Sequence, residues 1–221
     1  MQPITHKALL VIADISGFTR FMKLHKNTSS HAKRVVVELL KSIIAASSPP
    51  LKLVELEGDA VFFYAARETG EHSLAGVKPQ VMGFFRSFYQ TLNRHCELSL
   101  GASGAQDLRL KVIIHAGEVA IEHIHGFDKL FGMDVILAHR LLKNSVPAQE
   151  YVLMTESAYN WLDDFHQLEP ERQTEQYEGI GEVETVVFYP PAQLIRAART
   201  EPASWRARLD EKHPYQFLGA F

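Results

Sequence analysis

The stretch that decides the fold is Ala8-Leu9-Leu10-Val11-Ile12-Ala13-Asp14-Ile15-Ser16-Gly17-Phe18-Thr19. Its first six residues are all apolar, which predicts a strand buried on both faces of a sheet. Asp14 follows at the C-terminal end of that strand, Ser16-Gly17 turns the chain, and a helix is predicted from Phe18 to about His25. Free N–H groups at a helix N-terminus attract phosphate oxygens, and a neighbouring carboxylate attracts a hard cation such as Mg²⁺.

A second acid favours a cation site. Residues 51–65 predict a hairpin of two short strands around Gly58-Asp59. If this hairpin lies beside the first strand, Asp14 and Asp59 meet at one edge, and two facing carboxylates repel each other unless a cation lies between them. The alternative stays open that Asp14 caps a helix and Asp59 lies in a turn.

Composition narrows the class of protein. The chain has 221 residues, 46% of them apolar, and a net charge of -3, so its charge gives no reason to expect nucleic acid or an anionic membrane as partner. The single cysteine, Cys96, excludes an internal disulfide and is typical of a reducing compartment. We expect a cytoplasmic protein, since the N-terminus has no signal-peptide pattern and no apolar run approaches the ~20 residues of a membrane span.

Periodicity and turn residues predict the remaining elements. Helices are predicted over 31–47, 79–95, 133–143, 155–162 (with Thr155 as cap) and 193–199, and loops over 67–76 and 98–107. Strands are predicted over 108–115, over 118–125 after a turn at Ala116-Gly117, over 151–154, and as an antiparallel pair over 165–176 and 182–189. We expect one domain over residues 1–190, followed by a C-terminal helix and docking arm over 191–221.

This order of elements favours an α+β sandwich with helices on one face of the sheet. The other face carries polar residues, among them Glu55, Arg109, Lys111 and His115. That face is therefore a candidate dimer interface or binding site.

Four stretches resemble, in order, the motifs of class III nucleotidyl cyclases. Residues 13–19 resemble the first metal motif, Glu57-Gly58-Asp59-Ala60 the second, residues 111–119 the central hairpin, and residues 131–141 the helix with the catalytic asparagine and arginine. The resemblance covers roughly residues 7 to 190 and is nearest to an uncharacterised bacterial cyclase-like subgroup, a domain of unknown function sharing the run from Ala138 to Asn144. It implies a ferredoxin-like α+β sheet with helices on one face, in a head-to-tail homodimer.

The resemblance also implies a reaction and its residues. Asp14, the Ile15 carbonyl and Asp59 of one chain would hold two Mg²⁺ or Mn²⁺ ions on a nucleoside triphosphate, and the amides of Gly17, Phe18 and Thr19 would hold phosphate oxygens. The other chain would supply a base pocket and Arg140, which would stabilise the α-phosphate. The reaction is attack of the ribose 3′-oxygen on the α-phosphate with release of pyrophosphate.

The sequence departs from the family pattern at two places. Ile136 stands where the family has the asparagine that orients the ribose, and loss of one transition-state donor costs on the order of 10²–10³ in rate. Glu55 and Lys129 stand at the base-pocket positions, although Asp128 is an alternative to Lys129. Glu55 could accept from guanine N1–H and N2–H while Lys129 donates to O6, which predicts GTP over ATP; a pyrimidine, or a pair between Glu55 and Lys129 themselves, stays open.

Two further clusters have alternative interpretations. His115, His123 and His125 could bind zinc, with His123 and His125 on one strand face, or could be structural or solvated histidines. Arg196, Arg199, Arg206 and Arg208 could bind an anion, or could belong to a solvated arm. Two functions follow for the whole chain: a divergent enzyme or binder of a metal–nucleoside triphosphate, or a non-catalytic module that uses the fold for dimerisation or regulation.

Overall fold

The computed structural model describes residues 5–26, 29–67, 74–98 and 104–200. Eight strands lie in these ranges: β1 Thr5–Ser16, β2 Lys52–Glu57, β3 Ala60–Ala66, β4 Arg109–Ile124, β5 Phe127–Phe131, β6 Tyr151–Thr155, β7 Glu171–Tyr177 and β8 Gly181–Phe188. The helices there are α1 Phe18–Leu24, α2 Ser29–Ala46, α3 Val77–Leu98, α4 Met133–Arg140, α5 Glu156–Tyr159 and α6 Ala192–Thr200, with short 3₁₀ helices over Ala105–Asp107 and Asp163–Gln167.

All the strands belong to one mixed sheet in the order β2-β3-β1-β4-β6-β8-β7, and β5 pairs with the far end of β4. The β4–β6 pair is parallel and the other pairs are antiparallel. Strand β1 lies between β3 and β4, and its residues from Ala8 to Ala13 are 0% exposed. The six-residue apolar run is therefore buried on both faces of the sheet, as the sequence predicted.

The sheet separates two hydrophobic cores. Leu9, Val11 and Ala13 point into the larger core, which contains residues of α1, α2, α3, α5 and α6. Leu10 and Ile12 point into the smaller core, to which α4 contributes. The predicted α+β class is confirmed: five of the six described helices cover one face of the sheet, and α4 lies on the other.

The predicted turn at Ala116-Gly117 is wrong. Strand β4 runs without interruption from Arg109 to Ile124, and the turn into β5 lies at His125 and Gly126, which have φ of 50° and 89°. Gly117 has a different role: a Cβ at this position would lie 2.1 Å from Asp134 Cγ. The glycine lets α4 lie close against the strand, which local turn propensity does not reveal.

Two predicted helix ends are also wrong. Helix α4 ends at Arg140 instead of residue 143, and Asn144 Nδ2 donates to the carbonyl of Leu141 at 2.7 Å, so that a side chain satisfies one of the terminal acceptors. The Thr155 cap is confirmed, since its side chain accepts from the backbone N–H of Ala158, but α5 ends at Tyr159.

The C-terminal part begins with α6, which packs against α3. The arm predicted over residues 201–221, with Arg206 and Arg208, lies outside the described residues, as do parts of the loops predicted over 67–76 and 98–107. Among the helices that the structure describes, none is both long enough and apolar enough to cross a membrane.

Candidate functional site

Asp14 and Asp59 line one cavity at an edge of the sheet, which we call the aspartate cavity. Its volume is about 540 Å³, and it is also lined by residues 15–20, Lys111 and Tyr151. Strands β1 and β3 pair so that Asp14 lies opposite Ala60, and the backbone N–H of Ile15 donates to the carbonyl of Asp59 at 3.2 Å. This register brings the two acids of the sequence prediction to the same edge.

The acids of this cavity are in electrostatic conflict. Burial, reinforced by the negative charge of Asp14, raises the pKa of Asp59 from 3.8 to about 6, although Lys111 acts in the opposite direction. Lys111 Nζ lies 3.1 Å from Asp14 Oδ2, and each of these side chains is 16% exposed. Asp14 is therefore paired with a lysine, whereas ionisation of Asp59 costs free energy in the folded chain.

Sequence reasoning missed Lys111 as a member of this site. It assigned Lys111 to the polar face of β4 but had no means of placing it opposite Asp14, which is its neighbour in the β1–β4 register. Lys111 Nζ also donates to the carbonyl of Leu142 at 3.0 Å and so contacts the chain that follows α4. The lysine is a cation among the residues that line the aspartate cavity.

Gly17 is the N-cap residue immediately before α1 and has a φ of +88°, which an L side chain rarely adopts. A Cβ here would also lie 3.4 Å from the carbonyl oxygen of Asp107. Phe18 and Thr19 follow directly and line the same cavity. The glycine thus allows the tight turn that carries the chain from the end of β1 along the cavity wall.

The donors in this cavity fit a hard divalent cation. The two carboxylates and the backbone carbonyl of Ile15 are oxygen ligands of the kind that Mg²⁺ and Mn²⁺ prefer, and phosphate oxygens would complete the coordination. Within the described ranges, no group of three or more His, Cys, Asp and Glu side chains is arranged to hold a metal by itself. A metal here would therefore need the ligand's own oxygens.

A second cavity, the glutamate cavity, contains the other predicted residues. Its volume is about 390 Å³, and Glu55, Lys129, Ile136 and Arg140 line it. Lys129 Nζ donates to Glu55 Oε1 at 2.6 Å, so these side chains contact each other. Asp128 lies beside Lys129 on β5 but contacts His123 at 3.0 Å instead of the cavity, because successive strand residues point to opposite faces.

The two cavities are separate in one chain. Among the described residues they share no lining residue, so Asp14 and Asp59 line a different cavity from Arg140, Glu55 and Lys129. Ile136, at the position of the missing asparagine, is 47% exposed at the glutamate cavity.

The glutamate cavity also holds a pair that the sequence analysis did not single out. His139 Nε2 lies 2.9 Å from both carboxylate oxygens of Glu57. The partners are 82 positions apart, so no local pattern predicts this contact. The one sequence feature that could have placed His139 at this cavity is its position one helical turn after Ile136.

The three histidines considered for zinc do not converge. His115 is 4% exposed and lies 2.9 Å from Asp134 Oδ1 and 3.0 Å from Thr155 Oγ1, and burial lowers its pKa. His123 contacts Asp128, and His125 lies in the β4–β5 turn instead of on the strand face predicted for it. His115 links β4 to the start of α4.

Comparison with known proteins gives the family and the fold. Residues 36–151 match the family described as "Protein of unknown function (DUF2652)". An uncharacterised protein of Mycobacterium tuberculosis is 35% identical over 151 residues, which cover 68% of this chain and 71% of that protein.

Solved structures resemble the fold at low sequence identity. The guanylate cyclase domain of RhGC from Catenaria anguillulae, in complex with GTP, has a TM-score of 0.57 and 16% identity, covering 85% of this chain and 100% of that chain. A class III adenylyl cyclase-like ATP-binding protein from Pseudomonas aeruginosa has a TM-score of 0.60 and 16% identity, covering 88% of this chain and 40% of that chain. The chain belongs to the DUF2652 family of proteins of unknown function, and it has the fold of the class III nucleotidyl cyclases.

Proposed function

We propose that this chain binds a nucleoside triphosphate with Mg²⁺ or Mn²⁺ in the cytoplasm and converts it slowly to a cyclic nucleotide. The observation that carries the proposal is the aspartate cavity, in which two acids at one sheet edge, one with a pKa raised to about 6, adjoin the glycine turn at Gly17. Asp14, the Ile15 carbonyl and Asp59 would hold two ions, and the amides of Gly17 to Thr19 would bind phosphate oxygens. Lys111, released from Asp14, would donate to the phosphates.

A head-to-tail homodimer would complete the site. The two cavities share no lining residue among the described residues, which supports an arrangement in which the glutamate cavity of a second chain completes the aspartate cavity. Exposed apolar side chains lie at the lining of the glutamate cavity or within two positions of it in sequence: Leu56, Phe131, Met133 and Ile136 are 41%, 46%, 62% and 47% exposed. Covering them would stabilise a dimer through the hydrophobic effect.

In the proposed reaction, the ribose 3′-oxygen loses its proton and attacks the α-phosphorus, and the bond to pyrophosphate breaks. Arg140 of the second chain would stabilise the charge that develops on the α-phosphate. A bound divalent ion would supply a lower pKa for the 3′-hydroxyl and would offset negative charge. Ile136 contributes no hydrogen bond to the ribose, which is why we propose a slow enzyme.

For the base we propose guanine. Lys129 and Glu55 lie within hydrogen-bonding distance of each other, so a donor and an acceptor stand side by side at the cavity. Guanine offers the complementary O6 acceptor and N1–H and N2–H donors, whereas adenine would direct its N6 donor at the lysine. This arrangement supports GTP over ATP.

The second candidate is a catalytically degenerate module used for dimerisation or regulation. Two contacts favour it: Lys129 is already paired with Glu55, and Lys111 with Asp14, so a ligand would have to replace both of these protein contacts. The absence of a hydrogen-bonding group at Ile136 favours it as well.

The test is incubation with Mn²⁺ and each of the four ribonucleoside triphosphates, with measurement of cyclic nucleotide and pyrophosphate. Asp59→Ala should abolish product, whereas Asp163→Ala, whose side chain is 95% exposed outside both cavities, should not. A thermal shift with each triphosphate separates binding from turnover, because a ligand of the native state raises its apparent stability. If neither a product nor a thermal shift is observed with any triphosphate, the proposed enzyme is refuted and the degenerate module is the remaining candidate.

A further inference from the structure

The Glu57–His139 pair is a polar feature of the glutamate cavity that the proposed reaction does not use. Both residues line the cavity, and their side chains are 31% and 30% exposed, so a ligand there can reach them. They lie on different elements, Glu57 at the end of β2 and His139 on α4.

The ring of His139 is fixed at three points. Its Nδ1 lies 2.7 Å from the carbonyl of Val135, its Nε2 contacts both oxygens of Glu57, and it packs edge-on to Phe62 with ring centroids 5.1 Å apart. A carbonyl and a carboxylate both accept hydrogen bonds, so both contacts are hydrogen bonds when the ring carries a proton on each nitrogen, with Nδ1 donating to Val135 and Nε2 to Glu57. His139 therefore has little freedom left and holds the carboxylate of Glu57 in one orientation.

Glu57 retains capacity to accept hydrogen bonds. A carboxylate has about four acceptor positions, and one histidine nitrogen occupies few of them. In the described part of the chain, His139 is the partner that the structure gives this carboxylate. An oriented, partly exposed acceptor in a cavity is suited to a ligand hydroxyl.

The position of Glu57 relative to Glu55 indicates which hydroxyl. Residues two apart on β2 point to the same side, roughly 7 Å from each other along the strand, and both glutamates line the cavity. A base held at Glu55 and Lys129 would thus place its sugar beside Glu57, on the wall formed by Ile136 and His139. The 3′-hydroxyl is consumed in the proposed reaction, which leaves the 2′-hydroxyl as the donor.

We propose that Glu57, oriented by His139, accepts a hydrogen bond from the ribose 2′-hydroxyl and selects ribonucleotides over 2′-deoxyribonucleotides. Glu57 is then a specificity-determining residue and His139 a positioning residue. Together they recognise the sugar in a chain whose Ile136 has no hydrogen-bonding group for the ribose. This inference rests on the proposed function, since it requires a nucleotide in the glutamate cavity.

Calorimetric titration of the full chain with GTP and 2′-deoxyGTP, and with ATP and 2′-deoxyATP, in the presence of Mn²⁺ tests the inference. A hydrogen bond to a charged acceptor predicts that the deoxy form of the preferred nucleotide binds about 10- to 100-fold more weakly. Glu57→Met should bring this ratio close to one. His139→Gln, which keeps a donor for Glu57, should give an intermediate ratio, and Glu169→Gln, an exposed site outside both cavities, should leave it unchanged.

Different failures have different meanings. Equal binding of the ribo and deoxy forms by the wild type would overturn the sugar selectivity but not triphosphate binding, and this comparison needs no variant to fold. An unchanged ratio in a folded Glu57→Met variant would overturn the role of Glu57. Binding of no nucleotide by the wild type would overturn the proposed function and this inference with it.

Discussion

Replacing Asp59 with asparagine removes the charge that the aspartate cavity tolerates least. The pKa of Asp59 is raised from 3.8 to about 6, chiefly by burial and then by the charge of Asp14. A shift of about two pKa units corresponds to at most about 3 kcal/mol. Because the residue is only partly buried, solvent screening reduces the expected cost of the ionised form to about 1–1.5 kcal/mol.

The sign of the pH dependence follows from proton binding. Between pH 3.8 and about 6 the folded chain holds the Asp59 proton more tightly than the unfolded chain, so this residue's contribution to stability is complete below pH 3.8 and is lost as the pH rises through 6. Asp59→Asn should therefore be about 1–1.5 kcal/mol more stable than the wild type at pH 7.5 without metal. The difference should disappear near pH 4.

Urea unfolding in the presence of a chelator, followed by circular dichroism from pH 4 to 8, measures the stability difference between the variant and the wild type and its dependence on pH. Asp163→Asn, at a 95% exposed side chain, is the matched control and should change stability little. Added Mg²⁺ should stabilise the wild type and not Asp59→Asn, because the variant lacks a ligand. A variant that is less stable than the wild type at pH 7.5 without metal, or a difference that does not vary with pH, would refute the electrostatic reasoning.

Three further predictions concern the close contact of α4, the buried histidine and the partner surface. Gly117→Ala should cost about 2–4 kcal/mol in urea unfolding, because its Cβ would overlap Asp134, whereas Gly83→Ala in α3, whose Cβ would make an ordinary 3.9 Å contact with Ala46, should stabilise by about 0.5–1 kcal/mol; equal effects of the two substitutions would contradict the packing role of Gly117. His115→Gln should destabilise by about 1–3 kcal/mol at pH 7.5 through lost hydrogen bonds. Burial lowers the pKa of His115, so the wild type loses stability as the pH falls below 6.5 and the deficit of the variant should shrink there; a constant deficit between pH 7.5 and 5 would contradict the burial argument. Met133→Glu should weaken the proposed homodimer in sedimentation equilibrium at an unchanged monomer melting temperature, and a wild type that is monomeric throughout would disprove the dimer.

Local pattern predicted much of the fold. Six apolar residues from Ala8 to Ala13 predict a two-face buried strand because such a run has no polar position to turn toward water. The hairpin around Gly58-Asp59 was predicted because glycine tolerates the positive φ of 64° found there. These two elements bring Asp14 and Asp59 to one edge because β3 pairs with β1, a pairing that the sequence analysis took as a condition.

Patterns failed where glycine had a packing role. Gly117 is preceded by strand residues and followed by strand residues, and a turn was predicted because glycine commonly marks one. In the structure the residue is inside β4, where the missing side chain makes room for Asp134 of α4. The distinction depends on a helix that begins 16 positions later, which no local window contains.

The sequence by itself determined the class of fold and the positions of the main strands and helices, because alternation, helical periodicity and turn chemistry act over a few neighbouring residues. It predicted that Asp14 and Asp59 meet only on the condition that the hairpin lies beside the first strand, and the β1–β3 pairing supplies that condition. Only the tertiary structure decided which polar side chains meet. Lys111 contacts Asp14 through the β1–β4 register, and His139 contacts Glu57 through the docking of α4 on the sheet. Strand register and helix docking are set by the packing of whole elements distant in sequence, so the charge pairs of both cavities form only when those elements come together.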